Sequence, residues 1–347
     1  MKKIFLSLLL LSTASISIAQ NDDPATTGNR QRMASIGDLK LESGKVINDC
    51  RVGYRMYGHL NSAKNNAILL LTWFGGTSQI SADTQPWHTI DTTKYCLIIV
   101  DALGNGVSSS PSNSVRQHGN NFPAFSIADM VESQYQLLTQ KLGITHVRAV
   151  TGISMGGIQT FQWAVSHPDF MDLLIPVVGS PQPTGYDLLL YNSFREAIET
   201  DSAFNHGNYK ANPNIVLANM LLELSLTTPA DRAANVPHND YPKWLANIKA
   251  RKNNDWNDTR YQIMAVIGND IARRFNGSLK EAAAHVKAKM LIITSLQDHT
   301  VNPAPAIEFS KLVHAKLVTL DSPAGHLAGN YDAPEAKETI IKVLAEN

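Results

Sequence analysis

The stretch Val147-Arg148-Ala149-Val150-Thr151-Gly152-Ile153-Ser154-Met155-Gly156-Gly157 decides how the rest of this chain is read. Residues 147–150 form an apolar run of the kind a buried strand needs, and residues 157–165 have helical character. Between them a serine stands with a glycine two positions away on each side. Small residues there let a strand and a helix approach closely, which leaves the serine on a sharp, strained turn with its hydroxyl exposed. The pentapeptide alone is a weak signal, because Gly and Ser are common residues. A strand running into it and a helix leaving it make Ser154 a candidate nucleophile rather than a capping residue in a glycine-rich loop.

Working outward, short apolar runs alternate with longer helical patterns, the sequence form of a mostly parallel sheet covered by helices. Cys50, Val52, Tyr54 and Met56 alternate with period two and mark an early strand with one buried face. Residues 67–71 and 95–100 are continuous apolar runs, as central strands buried on both sides require. A helix is expected over residues 127–142, with Ser126 as its N-cap and Asp129 in its first turn. Beyond an apolar run at 173–178, the stretch from about 180 to 275 is helical or irregular, rich in Asn, Asp and Tyr, and lacks strand-like runs. It reads as a helical lid inserted above the sheet. The strand and helix rhythm then resumes with a strand at 289–294, a helix at 304–313 and a strand at 316–320.

A serine hydroxyl is a poor nucleophile until an imidazole removes its proton, and the imidazole needs a carboxylate to fix its tautomer and stabilise its charged form. In the α/β-hydrolase fold these groups follow in the order Ser, acid, His, each on a loop after a strand. Asp298, after the strand at 289–294, and His326, after the strand at 316–320, satisfy order and placement together. His299 adjoins Asp298 too closely to be oriented by it, His314 falls at a helix end, and Asp321 reads better as a turn residue. The developing oxyanion needs two backbone N–H groups aimed at one point. Met155 supplies one, and the turn Thr72-Trp73-Phe74-Gly75-Gly76 the other, from Phe74 with Trp73 as the alternative. Trp73, Phe74 and Trp163 are candidates for the walls of an acyl pocket, although core packing explains them equally well. Asp101 is expected to shape a turn. The Asn and Asp residues around 253–258 lack the spacing and closing Glu of a calcium loop, and nothing in the chemistry calls for a cofactor or metal.

The first residues concern destination rather than fold. Lys2 and Lys3 precede an apolar run over residues 4–19, and Ser17 and Ala19 occupy the small-residue positions a signal peptidase reads before Gln20. The expectation is a secretory signal at 1–19, a polar leader at 20–35 and an α/β-hydrolase domain at 36–347, exported to the periplasm or medium. No later segment has the length of a membrane span. The chain carries 30 basic and 30 acidic residues, which gives no electrostatic reason to expect nucleic acid as a partner. Cys50 and Cys96 sit in apolar strand-like runs and are expected to be free buried thiols, although export would permit a disulfide.

Several further motifs carry a resemblance: residues 41–46 (LESGKV), 57–61 (YGHLN), 101–106 (DALGNG), Phe122-Pro123, 129–131 (DMV), 142–144 (LGI), 152–163 (GISMGGIQTFQW) and 167–169 (HPD). Together with the surroundings of Asp298 and His326, these resemble the homoserine O-acetyltransferase family. The resemblance implies an acyl-transferring enzyme with Ser154, Asp298 and His326 as its triad, a helical lid and a homodimer. Two departures bear on the substrate. The family places an Asp after its catalytic His, where this chain has Leu327, and an Arg in a lid helix for the substrate carboxylate, where this chain has Asn219. Arg195 is a candidate substitute. Loss of a buried charge partner for a zwitterionic amino acid costs several kcal/mol of binding. The expected activity is therefore that of an exported serine hydrolase acting on a carboxylic ester or related acyl compound. An acetyl-CoA-dependent acyltransferase and a non-catalytic binding protein are the alternatives.

Overall fold

The structure, a computed structural model, describes residues 28–84, 89–329 and 333–346. The expected signal at 1–19 and the leader up to residue 27 lie outside these residues. Among the described residues, eight strands form one sheet: β1 (Gly28–Lys40), β2 (Val46–Tyr57), β3 (Ala67–Leu71), β4 (Cys96–Val100), β5 (Val147–Ile153), β6 (Met171–Val177), β7 (Lys289–Ser295) and β8 (Lys316–Leu320). Their spatial order is β1-β2-β4-β3-β5-β6-β7-β8. β2 pairs antiparallel with both of its neighbours, and every pairing from β4 to β8 is parallel.

The helices are α1 (Ser78–Asp83), α2 (Ile127–Gln136), α3 (Met155–Ser166), α4 (Gly185–Glu199), α5 (Val216–Leu226), α6 (Pro229–Asn235), α7 (Tyr241–Lys249), α8 (Trp256–Ile267), α9 (Leu279–His285), α10 (Ala304–Leu312) and α11 (Pro334–Ala345). They cover both faces of the sheet, which is why its central strands are apolar at consecutive positions. Leu69, Leu71, Ile98 and Val100 pack with α3 residues such as Phe161 and Trp163 on one face. Ile68, Leu70, Leu97 and Ile99 pack with Ile340 and Leu344 of α11 on the other. Cys50 and Cys96 are free and buried in β2 and β4, and burial pushes the Cys50 thiol up to about 12 and the Cys96 thiol up to about 11.

Ser126 and Asp129 cap α2 reciprocally, each side chain accepting from the other's backbone N–H. The helix is shorter than expected, because the chain widens into a π turn over residues 137–141. The leader expected at 20–35 requires correction over its second half, since residues from Gly28 onward are strand β1. Polar composition hid it: Arg32, Ala34 and Ile36 are buried, while Met33 and Ser35 between them face solvent, as on an edge strand with one solvated face.

Between β6 and β7 the described chain is helical without strand. Its helices share a small core of their own, built on Phe194, Ile198, Phe204, Ile215, Trp256 and Ile263. The sheet reverses its winding between β3 and β5, so the loops leaving these two strands diverge and open a crevice at their carboxyl ends. α4, α5 and α8 close that crevice from above.

Candidate active site

Ser154 leaves β5 and enters α3 with φ 58° and ψ −121°, a region that side-chain-bearing residues rarely occupy. Such a conformation costs about 1–3 kcal/mol and persists only where the surroundings impose it. Here its N–H donates to Val177 O (2.9 Å) and its carbonyl accepts from Ile158 N–H (2.9 Å). The two glycines are space-limited. A Cβ on Gly156 would lie 2.3 Å from the Leu71 carbonyl oxygen, and one on Gly152 would lie 2.5 Å from the Gly156 carbonyl carbon. This close approach of helix to strand explains both residues.

His326 sits in a short 3-10 turn (Gly325–Ala328) after β8, and Asp298 in the turn after β7. The structure brings both to Ser154. His326 Nδ1–H donates to Asp298 Oδ2 (2.7 Å), which leaves Nε2 to accept from the Ser154 hydroxyl (2.8 Å). Asp298 is almost fully enclosed, and its second oxygen accepts from the backbone N–H groups of Thr300 (2.7 Å) and Val301 (2.8 Å). Both carboxylate oxygens are thus engaged, which holds the carboxylate against the imidazole. Asp321 lies at the surface and accepts from Gln297 (2.6 Å).

Ser154 and His326 open into a cavity of about 470 Å³, lined also by Trp73, Phe74 and Met155. The Met155 amide is the first of α3 and, like all first-turn amides, has no partner within its helix. The turn bearing Phe74 is fastened from α8 and the segment before it: Gly75 N–H donates to Gln262 Oε1 (2.8 Å), and Asn254 Nδ2 donates to Gly75 O (2.7 Å). Neither Gln262 nor Asn254 is marked by the sequence, since nothing local ties them to a loop nearly two hundred residues earlier.

A second set of ties joins the inserted helices to the acid and base loops. Tyr191 of α4 donates to Thr300 O (2.7 Å), and Thr300 Oγ1 donates to Ser225 O in α5 (2.8 Å). Thr228 donates to Pro323 O through its hydroxyl (2.7 Å), and Asn302 N–H donates to Asp187 Oδ1 (2.9 Å). Burial, with Asp187 and Asp298 nearby, pushes the Tyr191 phenol well above its ordinary value, so it remains a donor. Thr300 is therefore shared: its N–H holds Asp298, while its side chain and carbonyl hold the insertion.

Of the other residues singled out, Trp73 lines the cavity but Trp163 does not. Trp163 is fully buried, with its indole N–H donated to Gln134 (2.8 Å). Asp101 accepts from Ser78 N–H, the Ser78 hydroxyl and Gln31, and so fixes a turn away from the cavity. Arg195 is the correction here. It is absent from the cavity wall, its guanidinium lying 3.7 Å from Glu196 and Glu199, partners that an apolar cavity lacks. Asn219 is buried within α5 and also does not line the cavity. Among the described residues, no Lys, Arg, Asp or Glu contributes to the lining.

Comparison with known proteins agrees with this arrangement. Residues 68–329 match the family model described as alpha/beta hydrolase fold. A probable esterase of Corynebacterium glutamicum is 40% identical over 190 residues, covering 52% of this chain and 53% of that protein, so the match spans about half of its length. The ethyl acetate hydrolase of Pseudomonas veronii is 31% identical over 85% of this chain and 88% of its own. The solved homoserine O-acetyltransferase of Bacillus anthracis superposes with a TM-score of 0.84 at 25% identity, covering 92% of this chain and 98% of that one. This chain is an enzyme of the α/β-hydrolase fold family, placed among ester hydrolases and homoserine O-acetyltransferases.

Proposed function

We propose that the protein is an exported serine hydrolase that cleaves a carboxylic ester or related acyl compound through an acyl-enzyme. Ser154 Oγ attacks the carbonyl carbon while His326 Nε2 takes its proton, and Asp298 stabilises the resulting imidazolium. The Met155 and Phe74 amides receive the negative oxygen of the tetrahedral intermediate. His326 then protonates the departing alcohol, leaving the acyl group on Ser154. Water, deprotonated by the same imidazole, releases the acid and restores the serine. The hydrogen-bonded line from Asp298 through His326 to Ser154, opening into a cavity, is the observation that carries this reading. The ethyl acetate hydrolase among its relatives lends it support, and the signal-like segment at 1–19 supports export.

The likeness to homoserine O-acetyltransferases favours a second reading, transfer of the acyl group to an acceptor other than water. Two observations weigh against homoserine as that acceptor. Leu327 follows His326 and lines the cavity 54% exposed, and the lining offers no cation for a carboxylate. Acetyl-CoA is moreover a cytoplasmic metabolite, which an exported enzyme would seldom meet. Steady-state assays with 4-nitrophenyl acetate, and with acetyl-CoA plus homoserine, separate the readings. Ester hydrolysis lost in Ser154→Ala is expected; CoA release that depends on homoserine and outpaces hydrolysis would overturn it.

A further inference from the structure

The walls of the cavity specify more than its chemistry. Phe194 of α4, Leu222 of α5, Ile263 and Val266 of α8, Ile158 of α3 and Val301 of the acid loop surround the space above Ser154. Apart from that of Ser154, the hydroxyl groups in the lining are those of Thr84, Tyr191 and Thr300. Each is already committed. Thr84 donates to Ile80 O (2.8 Å), Tyr191 to Thr300 O (2.7 Å) and Thr300 to Ser225 O (2.8 Å). Beyond the reacting residues, the one uncommitted side-chain donor among the described residues of the lining is the neutral indole N–H of Trp73, so a charged tail on a substrate meets no partner of opposite charge in the walls, and burying it unpaired is unfavourable.

Size adds a second constraint. At roughly 30 Å³ per non-hydrogen atom in a liquid-like filling, about 470 Å³ holds roughly fifteen such atoms, more than twice what ethyl acetate occupies. A ligand as small as ethyl acetate leaves most of this apolar wall unburied.

We infer that the substrate is an uncharged ester carrying an apolar chain of medium length, about six to ten carbons, which lies along Phe194, Leu222 and Ile263. This inference rests on the serine-hydrolase reading and names its substrate class. Binding of the chain strengthens substrate and transition state alike, so the gain appears in kcat/KM.

The test is a series of ethyl esters from acetate to decanoate, assayed by acid release, with fluorophosphonate labelling of Ser154 measured on the same preparations. A fully buried methylene corresponds to about a fourfold gain, so kcat/KM is expected to climb by roughly tenfold or more between acetate and hexanoate and then level off as the cavity fills. Monoethyl succinate, anionic at neutral pH, is expected to react more slowly than the uncharged ester of equal length. In Ile263→Trp, which fills part of the cavity, the slope should flatten. A flat or falling series in the native enzyme overturns the inference, as does an unchanged slope in Ile263→Trp that labels normally. Absence of both labelling and hydrolysis instead overturns the serine-hydrolase reading itself.

Discussion

Ser154, Asp298 and His326 stand on turns that close within a few residues of a strand end, whereas Tyr191, Ser225 and Gln262 reach the same place from helices inserted between β6 and β7. The first group is positioned by the sheet, whose parallel strands present their carboxyl ends side by side. The second acts through hydrogen bonds to those turns and supplies much of the apolar wall. The difference suggests a division of labour in which the sheet holds the reacting groups and the insertion selects what they react with. Because the insertion also grips the Thr300 and Pro323 backbone, the division is incomplete, and substitutions can find where it breaks.

The largest effect is expected at the sheet's own residues. His326→Ala removes the proton acceptor while leaving the elbow intact, and should lower kcat by about 10⁴- to 10⁶-fold with an unchanged circular dichroism spectrum. A loss below about tenfold would mean that the strand-end turns do not carry the chemistry.

Next come the ties between the two regions. Tyr191→Phe removes a donor to Thr300 O, and Thr300→Val removes one to Ser225 O, while both leave the Thr300 N–H on Asp298. Since a small misplacement of a catalytic group is costly, each should lower kcat about tenfold with little change in KM. An unchanged kcat together with a raised KM would assign the inserted helices to substrate binding alone.

A smaller effect is expected at a third tie, where Asp258 of α8 accepts from the Ser112 N–H (2.8 Å) and hydroxyl (2.5 Å) in the loop after β4. Burial pushes its carboxyl up to about 7, Ser112 pulling it down and Asp255 adding to the rise. Between about pH 4 and 7 the folded protein then keeps a proton that the unfolded chain has released, so stability falls as pH rises through that window. Asp258→Asn removes this dependence. Melting temperatures of native and variant protein should diverge in the variant's favour from pH 5 to pH 8, and parallel curves would show that Asp258 is ionised throughout.

What could be read from the sequence follows the same division. The motif around Ser154 is legible because the close approach of helix to strand leaves no room for a Cβ at Gly152, against Gly156, or at Gly156, against Leu71 of the neighbouring strand. Asp298 and His326 are legible because each follows a short apolar strand in the order the fold requires. β1 was obscured by its solvated face, which gives the stretch around Met33 and Ser35 the look of a loose leader. The inserted helices were recognisable as helical, but their partners were not. That Gln262 fastens the Phe74 turn, or that Arg195 turns to Glu196 and Glu199 and away from the cavity, depends on contacts between distant segments that no local pattern encodes.

Ser154, held in a strained turn with an imidazole at 2.8 Å, is the residue proposed to accept the acyl group. This role is tested most directly by intact-protein mass spectrometry after exposure to a fluorophosphonate, with peptide mapping of the adduct. A single adduct is expected on the peptide containing Ser154, abolished in Ser154→Ala and strongly slowed in His326→Ala. An unlabelled native protein, or an adduct on another residue, would contradict it.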